Sequence, residues 1–263
     1  MFINFRFLAA IFCLTSPFAA GPGARAEPLA PQEAGRRLMQ AYPDHIVAVD
    51  GNEVVWRDGN RMTIDDGRGP KSFEALLGSP DLEDIFAIPY PVGDAVPPGV
   101  DVDPGRARPA AFFDRMYGNC REGGVADNLV EVDWMPSRGK EKLKITRVNG
   151  VADKIKAIST ELEALPESFD VYLRPIAGTY VCRVIAGTNR PSAHGHGIAI
   201  DIALKHSHYW RWSKPDASGA PFWRNEIPME IVRIFEKHGF IWGGRWYHFD
   251  TMHFEYRPEL LIK

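Results

Sequence analysis

The chain has 263 residues, 45% hydrophobic and 25% charged, with a formal charge of −3 at pH 7. That is the make-up of a globular protein with enough chain for a sizeable core, and it excludes a disordered chain, a collagen-like repeat and a small disulfide knot. The slight acidity gives none of the basic footprint of a nucleic-acid binder, so no nucleic-acid partner is expected.

Residues 1–26 contain no acid and two bases, Arg6 and Arg25. The apolar run Phe7 to Leu14, followed by Ala24-Arg25-Ala26, has the form of a cleaved secretory signal. Cleavage nearer Ala19 or Ala20 fits the same pattern. The run is too short for a permanent membrane span, and no later stretch is long and apolar enough. The expectation is export across the inner membrane to the periplasm or the exterior. Cys13 leaves with the signal, so Cys120 and Cys182 remain, and an even pair in an exported chain reads as a disulfide.

From Ile46 the chain alternates strand-like runs with turn dipeptides. Ile46–Val49, Glu53–Trp56 and Arg61–Ile64, separated by Asp50-Gly51 and Asp58-Gly59, predict a three-stranded meander. Ser79-Pro80 followed by Asp81, Glu83 and Asp84 predicts a capped helix N-terminus. Pro89, Pro91, Pro97, Pro98 and Pro104 then predict an extended crossing to about Arg108. Residues 27–108 carry no constellation of chemistry and read as an accessory region laid on a main domain, residues 109–263.

In that main domain Ala110–Tyr117 predicts a helix closed by Gly118. Leu129–Trp134 and Leu143–Val148 alternate as strands. Val151–Leu165 has a helical apolar face ended by Pro166. Phe169–Leu173 and Gly197–Ala203 are read as strands, Met229–His238 as a helix ended by Gly239, and His253–Tyr256 as a last short strand. Strands and helices mix without a regular βαβ alternation, so the fold class is α+β.

The chemistry gathers in Ser192 to Asp201 and in Trp242 to Glu255. A catalytic zinc takes three protein ligands from His, Asp or Glu and leaves one position open. In one straight strand His194 and Asp201 would face opposite ways. Gly195 and Gly197 remove that objection by letting the chain turn first. His253 supplies a third ligand, and Asp250 before it is placed to take a proton from an attacking water. Spacing alone leaves a solvated histidine-rich loop as an alternative.

Ser192, His194, Gly197, Ala199 and Asp201 match every fixed position of the S-x-H-x-x-G-x-A-x-D motif of zinc D-alanyl-D-alanine carboxypeptidases. Asp250, two residues, then His253 and Phe254 resemble that family's second motif. The segment, about residues 170–257, is therefore similar to the VanY-type peptidases, whose relatives include L-alanyl-D-glutamate endopeptidases and the hedgehog-like zinc fold. The resemblance implies a zinc domain with an antiparallel sheet and flanking helices. It implies Zn2+ held by His194, Asp201 and His253, with Asp250 as catalytic base. Many relatives carry Glu at the base position. An upstream family arginine has its nearest, imperfect match in Arg183, which by resemblance binds a substrate carbonyl or terminal carboxylate.

What the resemblance implies is a zinc metallopeptidase acting on D-Ala-terminated peptidoglycan stem peptides, as a D-alanyl-D-alanine carboxypeptidase. An endopeptidase of the L-Ala-D-Glu type and a catalytically silent zinc- or wall-binding module are the alternatives. His248 alternates with Asp250 and is a candidate hydrogen-bond donor to substrate. His196, at a position the family motif leaves free, reads as exposed; His206 and His208 read as a loop wall, and Trp246 as core or cleft wall. The sequence leaves the oligomeric state open.

Overall fold

The structure, a computed structural model, describes residues 29–262 apart from Asp216 and Ser218. The expected signal segment lies outside the described residues, among which no helix is long and apolar enough to cross a membrane.

Helix α1 (Pro31–Ala41) has no counterpart among the sequence expectations, although Pro31 in its first turn and the buried stripe Ala34 and Leu38 are its signals. It packs on β1 (Ile46–Asp50), which pairs antiparallel with β2 (Glu53–Trp56), and β2 with β3 (Arg61–Thr63). This is the meander predicted from the turn dipeptides, with Gly51 and Gly59 at positive φ, where a side chain would be strained. A Cβ on Gly35 would lie 2.8 Å from Val49, so the glycine lets α1 close on the sheet.

The helix expected from Ser79 is corrected. The cap is Ser72, whose hydroxyl accepts from the Ala75 N–H, and α2 (Phe73–Gly78) ends where the expectation began. Asp81 and Asp84 each accept from the other's backbone N–H, as caps do, and also hold the ammonium of Lys71, but the turn they open is a single 3-10 turn, Glu83–Phe86. Residues 87–109 then cross the molecule without helix or strand, as the prolines imply.

Helix α3 (Ala110–Tyr117) ends at Gly118, and β4 (Leu129–Trp134) pairs antiparallel with β5 (Glu141–Thr146). Helix α4 (Val151–Glu163) buries Ile155, Ile158 and Leu162 as its period demands. The strand expected at Phe169–Leu173 is instead a turn followed by a short helix, α5 (Asp170–Leu173). In so short a run, residues spaced by four share a face in a helix as well as in a strand. Here Leu173 is buried while Val171 is exposed.

The last sheet is built from β6 (Ala199–Asp201), β7 (Phe240–Trp242) and β8 (His253–Tyr256), in the antiparallel order β6-β8-β7. Helix α6 (Met229–Lys237) covers it, with Phe235 stacked on Phe254 at 3.9 Å between ring centres. Ile198, Ile200 and Ile202 are fully buried, which leaves the other side of β6 for a site. The architecture is mixed α+β with small antiparallel sheets. One hydrophobic core runs from Leu38 and Trp56 through Phe112 to Phe254 and Leu260, and the buried Tyr42 hydroxyl donates to Glu259 at 2.6 Å.

Candidate metal centre

The register of β6 and β8 sets Asp201 directly opposite His253. Cross-strand neighbours are the closest pairs a sheet offers, so two of the expected ligands meet by strand pairing alone. His194 arrives differently. Ala193–His196 form a 3-10 turn that ends at Gly197, at φ 69°. A Cβ there would lie 2.9 Å from Leu129 and 3.1 Å from the Thr146 nitrogen, so glycine alone fits both the backbone and the space.

The three side chains converge, each with one ligand atom within 4.8 Å of the others. His253 Nδ1 lies 2.9 Å from Asp201 Oδ1 and 3.2 Å from His194 Nε2. The outward nitrogens are both held: His194 Nδ1 lies 2.5 Å from the Thr179 carbonyl, and His253 Nε2 lies 3.0 Å from Glu255 Oε2. With the outward nitrogens held, a metal that displaces the protons the inner nitrogens share with Asp201 would find both nitrogens aimed at the same point. Such outer acceptors fix the tautomer of a metal-binding histidine. Two imidazoles and a carboxylate make a donor set that suits zinc.

The electrostatics fit a cation as well. Burial works to raise Asp201, but hydrogen bonds from His194 and His253 outweigh it and hold the carboxyl well below its usual range. Burial works against charge on His253, yet Asp201 and Glu255 push it up to about 9. Asp250 shows the reverse balance: burial first, then the charge of Asp201, pushes it up to about 6. Its Oδ1 is shielded from solvent and has no hydrogen-bond partner among the described residues. An orphaned carboxylate oxygen beside a lone-pair cluster is relieved by a cation or by a proton-bearing ligand.

A cavity of about 230 Å³ opens over this cluster, lined by His194, Asp250 and His253 together with Arg106, Arg108 and Trp246. Arg183 is brought to its rim, exposed, with a long contact to the Val184 carbonyl at 3.4 Å. The neighbouring Cys182 is bridged to Cys120, and the bridge sits 3.3 Å from where a Cβ on Gly195 would lie. His248 is not among the cavity's lining residues. Its ring stacks on Phe73 and donates from Nδ1 to Asp103 at 2.8 Å.

His196 is corrected: it is buried rather than exposed, 2.9 Å from Asp114, and is not one of the converging ligands. His206 and His208 both pair with Glu226, away from the cluster.

Three contributors were missed. Arg106 and Arg108 belong to the crossing read as empty of chemistry, and their spacing of two in extended chain was the available signal. Glu255 alternates with His253 on β8 and so shares its face. It is fully buried and accepts from His253, Arg108 and Arg257. Burial would raise its carboxyl, but these positive partners hold it well below the usual range.

No curated protein and no solved structure matches the chain. A family comparison does find one stretch. Residues 186–256, which contain all three converging side chains and Asp250, match the family of D-alanyl-D-alanine carboxypeptidases.

Proposed function

We propose that the protein is an exported zinc metallopeptidase that hydrolyses peptidoglycan stem peptides, with removal of a terminal D-alanine as its reaction. The observation that carries this reading is the meeting of His194, Asp201 and His253 beside the orphaned oxygen of Asp250, inside the stretch similar to D-alanyl-D-alanine carboxypeptidases. His194 Nε2, Asp201 and His253 Nδ1 hold the zinc. When bound, zinc supplies Lewis-acid polarisation of the scissile carbonyl.

Asp250 takes the proton of the attacking water at its free Oδ1 and returns it to the leaving amine. Arg183 at the rim steadies negative charge on the substrate, for which an exposed guanidinium is suited. Export is supported by the apolar run before Ala24-Arg25-Ala26 and by the Cys120–Cys182 bridge, since such bridges persist in oxidising compartments.

Metal analysis of the purified chain is expected to find close to one zinc, lost in His194→Ala. Digestion of muropeptides with mass readout then identifies the bond. Loss of one alanine supports the proposal, and an internal stem cut assigns an endopeptidase instead. Bound zinc with no product leaves a wall-binding module, and a stable metal-free wild type rejects the zinc reading.

A further inference from the structure

Residues 102–106 of the crossing lie along the loop that carries Asp250, and a seam of contacts joins the two. The Val102 carbonyl accepts from the Tyr247 N–H at 2.9 Å, and the Pro104 carbonyl accepts from the Trp246 indole at 2.7 Å. Asp103 accepts twice from His248, from its backbone N–H at 3.0 Å and from ring Nδ1 at 2.8 Å. Arg106 lies 4.8 Å over the Trp246 ring. Trp246, Tyr247 and His248 are thus held from one side by an element outside the matched stretch 186–256.

Asp103 is the buried charge of this seam. Burial works to raise its carboxyl, but the hydrogen bond from His248 and the charge of Arg106 outweigh that and hold it below its usual range. The same carboxylate acts on Arg190. Kept ionised, Asp103 offers acceptors at both oxygens, and both face His248. Rings hold the His248 imidazole as well, Phe73 stacked at 5.6 Å and Trp210 edge-on at 4.7 Å. Neither Asp103 nor His248 lines the metal cleft.

Asp250 depends on such support. No hydrogen bond holds its Oδ1 among the described residues, so the backbone sets the aim of that oxygen. The Asp250 N–H donates to the Gly243 carbonyl at 3.0 Å, and the Phe249 carbonyl accepts from the Trp210 N–H at 2.9 Å. Between those fixed points Val102 and Pro104 contribute backbone carbonyls, and Asp103 contributes its side chain. A proton acceptor misplaced by about 1 Å can cost about 100-fold in rate.

We propose that Asp103 is a positioning residue for Asp250: by clamping the backbone and ring of His248 it fixes the loop that aims the base at the metal site. This rests on the peptidase reading above. The crossing thereby completes the site from outside the matched stretch.

The test uses the zinc-loaded full chain with Asp103→Ala, which removes both acceptors, and Asp103→Asn, which keeps one for the His248 N–H. On a D-alanine-terminated peptide, Asp103→Ala is expected to lower kcat by roughly 10–100-fold with KM and zinc content unchanged. Asp103→Asn restores part of that kcat. Hydrogen–deuterium exchange on the same samples is expected to quicken in Asp103→Ala over residues 246–250 and to stay as in wild type over 194–201.

If wild type cuts no peptide, the peptidase reading fails, while faster exchange confined to 246–250 still upholds the clamp. If wild type cuts and folded Asp103→Ala keeps its kcat, the positioning role alone is overturned. Loss of zinc together with kcat, or faster exchange throughout the chain, also overturns it, because Asp103 is then only structural. Should Asp103→Ala fail to fold, Asp103→Asn decides: a lowered kcat at constant KM upholds the role, and wild-type kcat overturns it.

Discussion

Asp250 and Glu255 are carboxylates on either side of His253 in opposite conditions. Glu255 is saturated by His253, Arg108 and Arg257 and stays ionised. Asp250 has an unpartnered oxygen and a carboxyl pushed up to about 6. A group that gives and takes a proton needs the second condition, and a group that fixes a histidine needs the first. Asp250→Asn, nearly the same shape, is therefore expected to keep its metal while turnover falls by roughly 10²–10⁴-fold. Metal content and single-turnover rate measured on one preparation check this, and an active variant removes Asp250 as the base.

At the scale of elements, the site is made by one strand pair and one turn. β8 alternates His253 and Glu255 inward on one face, so the strand carries both a ligand and the acceptor that orients it. Glu255→Gln removes the charge but keeps the volume. It is expected to weaken metal binding by roughly 10–100-fold, read by competition with a chelator. Unaltered affinity in a folded variant would remove Glu255 from the site.

The legible elements were those with a long period or a forced turn: the meander, α3, α4 and α6 all fall near their predicted places. The reading failed at Phe169–Leu173, where the run is too short to separate periods of two and four. It also failed at Ser79, where the acids open only a single 3-10 turn and hold Lys71 as well.

Across the whole molecule, two features tie distant parts together. The Cys120–Cys182 bridge closes a loop of 62 residues, worth about 4 kcal/mol on the chain-entropy model as an upper figure. The double variant Cys120→Ser/Cys182→Ser is expected to lose about 2–4 kcal/mol in denaturant unfolding; an unchanged midpoint would deny the bridge a stabilising part.

The other feature is the acidic patch around Lys71. Burial first, then Asp65, Asp81 and Asp84, pushes Glu83 up to about 7. Its folded-state value lies above the unfolded one, so the stability it contributes is full at low pH and lost as pH rises through 7. Glu83→Gln is expected to gain about 1 kcal/mol after discounting for solvent screening, roughly 2–4 °C in melting, at pH 8. That gain should fade toward pH 4. A gain of equal size at both pH values would place its cause elsewhere than in this carboxyl.

The sequence by itself determined the α+β class, the convergent residues His194, Asp201 and His253, and the cysteine pair. The class and the cysteine pair rest on local facts, turn dipeptides, helical periods and an even count, while the three ligands rest on the resemblance of two short motifs to a known family. Only the tertiary structure decided that His248 serves Asp103, that His196 is buried, and that Arg106, Arg108 and Arg190 gather beside the metal centre. The crossing from Pro89 to Arg108 has no period to read, so its partners were set by long-range packing and charge. Burial then turned those side chains from surface arginines into part of the site.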